Sequence, residues 1–123
     1  MKSFDIENSN YAIRSDASIQ EAMEAITLNH RGCVVVVDGK NVVMGVVSDG
    51  DIRRALIKGA ISHTPVEKVM NTNFSFVKNE NKETLKNPEK YFFEHQIEQV
   101  VPVVGNNNEL IEVLVRGGKY QEE

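Results

Sequence analysis

Cys33-Val34-Val35-Val36-Val37-Asp38, followed by Val42-Val43-Met44-Gly45-Val46-Val47 and Ser48-Asp49-Gly50-Asp51, lies in one stretch that can be laid over Val100 to Gly118 at a constant offset of 67 residues. Val34 to Asp38 falls on Val101-Pro102-Val103-Val104-Gly105, and Val42 to Val47 falls on Glu109-Leu110-Ile111-Glu112-Val113-Leu114. Each copy reads as strand, turn, strand, so the chain is a tandem repeat. Asp38-Gly39 is a strong hairpin signal between two valine-rich runs, and Gly105-Asn106-Asn107-Asn108 makes a looser turn in the second copy. Near-continuous valine implies strands buried on both faces.

Working outward, Ser18-Ile19-Gln20-Glu21 has the form of a capping box, and Ile19, Ala22, Met23 and Ile26 follow at helical spacing, which predicts a helix of about twelve residues ending at Asn29. Ile52, Ala55 and Leu56 repeat that spacing after the first hairpin, with Gly59 as the stop. Thr64-Pro65-Val66-Glu67 offers a cap, a proline and a capping-box glutamate for a short turn through Met70 that links the halves. In the second half, Phe74-Ser75-Phe76-Val77 is expected as a strand, Lys78 to Asn87 as an irregular insertion, and Pro88 onward as a helix. After Val115 the remaining residues are too few and too glycine-rich for a full closing helix. The expected fold is α/β (α+β): two β-α-β-β-α units, 1–63 and 64–123, the second degenerate and truncated.

The 123 residues suit a compact domain with a core of its own, and a charged fraction of 26% beside 41% hydrophobic residues is a globular balance. A net charge of -4 gives no electrostatic invitation to nucleic acid or an anionic membrane. Met1 to Asn10 lacks a signal-peptide core, and no run approaches the roughly 18 apolar residues of a membrane span, so a cytoplasmic location is expected. The single cysteine, Cys33, can form neither an internal disulfide nor a metal cluster and reads as a small packed residue. His30, His63 and His95 follow no metal-ligand spacing, so neither a metal site nor a catalytic histidine is expected. Tyr91, Phe92 and Phe93 read as core or dimer packing.

Chemistry concentrates where Gly45-Val46-Val47 runs into Ser48-Asp49-Gly50-Asp51-Ile52-Arg53-Arg54, a strand turning directly into a helix. Ser48 would cap that helix, whose N–H groups and partial positive charge attract phosphate. Asp51 can accept two hydrogen bonds from vicinal hydroxyls, as an acidic residue does for ribose in dinucleotide folds. Gly50 would let a ligand approach the backbone, and Arg53 or Arg54 would reach a phosphate. Phosphate and ribose together imply a nucleotide. The same tetrapeptide also serves as an ordinary capping box with no ligand.

With these residues in place, the chain resembles the cystathionine-β-synthase (CBS) domain family in its paired arrangement, the Bateman module. Gly45-Val46-Val47-Ser48-Asp49-Gly50-Asp51 matches the family signature of glycine, hydrophobic residue, any residue, threonine or serine, two residues, aspartate. The resemblance implies two units packed with pseudo-two-fold symmetry, sheets back to back and helices outside. It also implies a regulatory adenine nucleotide such as AMP, ADP or ATP, with Ser48 near its phosphate, Asp51 on its ribose, and Gly32 and Cys33 beside its base. No catalysis and no required cofactor are implied. Ser48 to Leu56, with Pro65 to Asn71 after it, is similar to a subset attached to sugar enzymes, one branch preceding a sugar-nucleotide nucleotidyltransferase domain and another following an arabinose-5-phosphate isomerase domain; the start at Met1 favours the first. No nucleotidyltransferase loop occurs in these residues, so such a domain would lie outside them.

The offset puts Val115 where Ser48 sits and Gly118 where Asp51 sits, so one competent site per chain is expected. The function expected is ligand sensing by a homodimer that controls an attached or partner enzyme. Two other readings remain open: a structural dimerisation module that binds nothing, and an N-terminal fragment of a nucleotidyltransferase.

Overall fold

The computed structural model describes residues 4–117. The expected repeat is present strand for strand. A 3-10 turn at Ile6–Asn8 leads to β1 (Ala12–Arg14), α1 (Ile19–Asn29), β2 (Cys33–Val37), β3 (Val43–Ser48) and α2 (Asp49–Ile57). A second 3-10 turn, Val66–Lys68, precedes β4 (Val77–Lys78), α3 (Lys82–Lys86), α4 (Pro88–Glu94), β5 (Val100–Val104) and β6 (Leu110–Val115). The strands form two three-stranded sheets, ordered β1-β2-β3 and β4-β5-β6. In each, the first strand runs parallel to the second and the second antiparallel to the third.

The 67-residue offset survives in the register. Cys33 opposes Ser48 as Val100 opposes Val115, and both hairpins carry an irregularity at the same place, between Val36 and Val37 and between Val103 and Val104. The period-two alternation of a strand then sorts the valines. Val35, Val37 and Val43 meet Val100, Val104, Leu110 and Val113 between the sheets. Val34, Val36 and Val47 face outward onto Ile19, Ala22 and Ile26 of α1 and Ile52 of α2, whereas Val101 and Val103 face Phe92 of α4. The layers are helices, sheet, sheet, helices, which is the tandem α+β arrangement expected.

Helix α1 carries its complete capping box: Ser18 Oγ accepts from the Glu21 N–H at 3.1 Å and Glu21 Oε1 accepts from the Ser18 N–H at 2.8 Å. Four other local expectations need correction. The first hairpin does not turn on Gly39; the left-handed residue is Asn41, at φ 64°, and Asp38 Oδ1 accepts from the N–H groups of Lys40 and Val42. Thr64 does not cap a helix. Its carbonyl accepts from the Ile19 N–H and its hydroxyl from the Ile61 N–H, so this segment is fastened to the first unit, with Val66 in that unit's core. Of Phe74 to Val77 only Val77 pairs as strand, extended by Lys78, because residue 71 turns aside to pair with Val46. The polar stretch from Lys78 is not wholly irregular: Asn81 Oδ1 accepts from the Thr84 N–H and starts α3. Pro88, disfavouring helical backbone at Asn87, separates α3 from α4. Expectations about the closing residues beyond Gly117 lie outside the described residues.

The hairpin tips clasp one another. Val43 N–H donates to the Asn108 carbonyl at 3.0 Å, and its counterpart, Leu110 N–H, donates to the Asn41 carbonyl at 2.8 Å. Asn41 and Asn108 take nearly the same left-handed conformation, φ 64° and 63°. A β-branched residue is strained there whereas glycine is not. Asn41→Val and Asn108→Val should each lower stability by about 1 kcal/mol in chemical denaturation, and the glycine replacements should stay close to the native chain.

Candidate functional site

Helix α2 begins where β3 ends, and its first turn closes on itself. Asp51 N–H donates to Ser48 Oγ at 3.1 Å, and Ser48 N–H donates to Asp51 Oδ2 at 3.0 Å. Asp51 Oδ1 also accepts from Arg54 Nη2 at 3.0 Å. Asp49 N–H is taken by the Gly32 carbonyl at 3.0 Å, which ties the start of α2 to the entry of β2. Gly32 itself sits at φ 81°, the left-handed bend that sends the chain from α1 into β2.

Gly45 has a reason beyond the signature. A Cβ there would lie 2.6 Å from the Asn71 carbonyl oxygen, since Asn71 pairs with Val46 through two backbone hydrogen bonds of 2.7 and 3.0 Å. That pairing lays the segment entering the second unit across the first unit's β3. The result is a cleft of about 400 Å³ with a wall from each unit. Arg31, Gly32, Cys33, Ser48, Asp51 and Arg54 line one side; Asn71, Asn73, Phe74, Ser75, Glu98 and Gln99 line the other.

Of the expected ligand residues, the cleft gathers Ser48, Asp51, Gly32 and Cys33. Arg53 and Asp49 face another groove, with Met23, Leu56 and Ile57, because helical spacing turns them away from Asp51. The arginine at the cleft is Arg54, and its guanidinium lies over Gly50, 3.1 Å from where a Cβ would be. The open approach expected at Gly50 is therefore covered. Val115, in the Ser48 position of the second copy, is a buried member of the inter-sheet core that also holds Phe4. Gly118, in the Asp51 position, lies outside the described residues.

The far wall was missed in the sequence, although the repeat pointed to it: the offset that pairs Cys33 with Val100 pairs Arg31 with Glu98 and Gly32 with Gln99. Glu98 is held in place. Tyr91 donates its hydroxyl to Glu98 Oε1 at 2.8 Å, and Ser75 donates to Glu98 Oε2. Burial, and then the hydrogen bond to Glu98, push the Tyr91 hydroxyl well above the usual phenol range. Arg116 Nε donates to the Glu98 carbonyl at 2.8 Å, with its guanidinium 5.1 Å from the Phe92 ring centre. Cys33 packs at the cleft floor, and burial, reinforced by the charges of Asp49 and Asp51, pushes its thiol up to about 11. His95 stacks on Tyr91 at 4.0 Å, and His30 ends α1 in a left-handed conformation. No group of three metal-ligating side chains occurs among the described residues.

A thiol raised from 9.0 to about 11 is mostly protonated at neutral pH. Alkylation of Cys33 by iodoacetamide at pH 7.5 should run on the order of 100-fold slower than that of an unperturbed thiol, by the thiolate fraction alone. Mass spectrometry of timed samples checks this, and unfolding in urea should restore the ordinary rate.

Comparison with known proteins agrees with this architecture. The CBS domain model matches residues 4–58. The arabinose 5-phosphate isomerase GutQ of Shigella flexneri is 41% identical over 56 residues, which cover 46% of this chain and 17% of GutQ. The chain thus spans a small part of the curated relatives it matches. Among solved structures, the Vibrio cholerae protein named AcuB superposes with a TM-score of 0.71 at 21% identity, over 94% of this chain and 80% of AcuB. A CBS domain protein of Pyrobaculum aerophilum complexed with AMP superposes with a TM-score of 0.65 at 23% identity, over 94% and 82% of the two chains. No helix among the described residues is long and apolar enough to cross a membrane. A CBS domain is a regulatory, non-catalytic module. Residues 4–58 match the CBS domain family model, and the chain as described has the fold of a CBS pair.

Proposed function

We propose that the chain is a nucleotide-sensing regulatory module whose ligand, an adenosine-type nucleotide such as AMP, ADP or ATP, occupies the cleft between the two units. The observation that carries this function is the meeting of Ser48 and Asp51 with a wall contributed by the other unit. Ser48 accepts in the capping box through its lone pairs, so its hydroxyl proton is left to donate. Asp51 can accept from ribose hydroxyls beside its bonds to Ser48 N–H and Arg54. The AMP-bound Pyrobaculum relative, of the same fold, agrees with this ligand class.

A ligand touching both walls binds more tightly to one relative arrangement of the units than to another, and that difference is what a regulatory module transmits. The nucleotidyltransferase attachment expected from the sequence has no counterpart among the relatives named above. GutQ is a sugar-phosphate isomerase, so the attached or partner enzyme we favour is one acting on a phosphorylated sugar. Self-association is part of the proposal: Leu28, Leu56 and Ile57 are exposed, and Met23 joins their two grooves into one apolar face on α1 and α2. An isologous pair of chains would cover it. We put the unit boundary after Met70, since Thr64 to Met70 is fastened to the first unit, with Asn71 onward building the second.

The completed capping box favours the second reading, a structural module in which Asp51 serves only the helix. Thermal unfolding of the native chain and of Asp51→Ala, with and without AMP, ADP and ATP, separates the two. Loss of the cap should cost Asp51→Ala about 1 kcal/mol without ligand. A nucleotide at 100 times its Kd should stabilise the native chain by about 2.7 kcal/mol, and Asp51→Ala far less. No stabilisation of the native chain by any nucleotide would leave the structural reading.

A further inference from the structure

The sequence suggested that the start of α2 would hold an anion, but three of the backbone N–H groups there are already engaged. Ser48 N–H bonds Asp51, Asp49 N–H bonds the Gly32 carbonyl and Asp51 N–H bonds Ser48, while the Gly50 face is covered by Arg54. The charged side chains of the cleft are two guanidiniums and two carboxylates, and three of the four are partnered. Arg54 and Asp51 hold each other, with the Arg54 side chain 62% exposed. Glu98 is satisfied by Tyr91 and Ser75. Arg31 is the exception: its Nε is buried from solvent and meets no acceptor among the described residues, while its backbone N–H is fixed by Asn29 Oδ1 at 2.7 Å. A desolvated guanidinium N–H without an acceptor is destabilising until an acceptor arrives, and a charged oxygen is the strongest one.

We propose that Arg31 is the anion-binding residue of the cleft and that it selects a ligand carrying a single phosphate-type group. This rests on the nucleotide reading above and assigns its phosphate to a different place from the helix start. Arg31 and Glu98 are counterparts under the repeat offset, so the two units set opposite charges on opposite walls. One unpartnered cation matches one phosphate monoester. The further phosphates of a triphosphate would bring negative charge toward Asp51 and Glu98, whose partners are already in place, so AMP should bind more tightly than ATP.

The test is calorimetric titration of the native chain, Arg31→Gln and Arg31→Lys with AMP, adenosine and ATP, with thermal unfolding to establish that the variants fold. In parallel, the Arg31 Nε–H resonance of the native chain is followed by NMR during addition of inorganic phosphate. The proposal expects AMP to bind more tightly than adenosine or ATP, Arg31→Gln to weaken AMP about tenfold or more with adenosine little changed, and Arg31→Lys to fall between. AMP binding equally well to the native chain and Arg31→Gln, or ATP binding more tightly than AMP, would overturn it while leaving the nucleotide reading intact. No AMP binding, with a phosphate-dependent shift of the Arg31 resonance, would sink the nucleotide reading and uphold the anion site. Neither response would sink both.

Discussion

The pair of backbone hydrogen bonds that join the hairpin tips, Val43 N–H to Asn108 and Leu110 N–H to Asn41, sets the geometry on which the rest depends. These two bonds are exchanged under the 67-residue offset, so they lie about a local two-fold axis. With that axis fixed, Val35 and Val37 must face Val100 and Val104, and the interval between the sheets becomes a dry core. The loops reach the same backbone path by different chemistry. In the first, Asp38 accepts from the N–H of Lys40; in the second, Glu109 reaches back to accept from the equivalent Asn107 N–H, and its carboxylate lies against Gly105. In Asp38, the bonds from Val42 and then Lys40 hold the carboxyl below its usual range. That contribution is present above the unfolded carboxylate pKa and is lost as pH falls through the lower folded one.

The same axis explains why the cleft belongs to both units. It brings the entries of β2 and β5 side by side, so Arg31 to Cys33 and Glu98 to Val100 share one end of the inter-sheet space. Gly45 completes the arrangement by admitting the Asn71 carbonyl against β3. A ligand held there spans the junction, where a change in the relative position of the units is felt most directly. At the cleft the two copies differ in their side chains. Ser48 has a buried valine, Val115, as its counterpart, and Arg31 has Glu98.

Much of this was legible in the residues. The offset repeat predicted the strands because a valine run buried on both faces admits few alternatives, and Ser18 with Glu21 marked the start of α1 through local bonds that the chain does form. What was not legible depended on contacts distant in sequence. Thr64 looks like a helix cap, but Ile19 claims its carbonyl; Phe74 to Phe76 looks like a strand, but Asn71 is drawn to β3. Within the site, Ser48 and Asp51 could be read from their own spacing. Arg31 and Glu98 carry no local motif; the repeat offset pairs them, but their meeting across one cleft depends on the two copies folding against each other. Arg53 was a matter of helical phase, settled by the start of α2 at Asp49.

Amide chemical-shift mapping with AMP on the intact chain tests most directly the proposal that the two units jointly build one ligand site. Gly32, Cys33, Ser48 and Asp51 should shift together with Asn71, Phe74, Ser75 and Gln99, in a single saturating transition. Shifts confined to one unit, or centred on the separate groove of Lys78, Glu80 and Asn106, would contradict it.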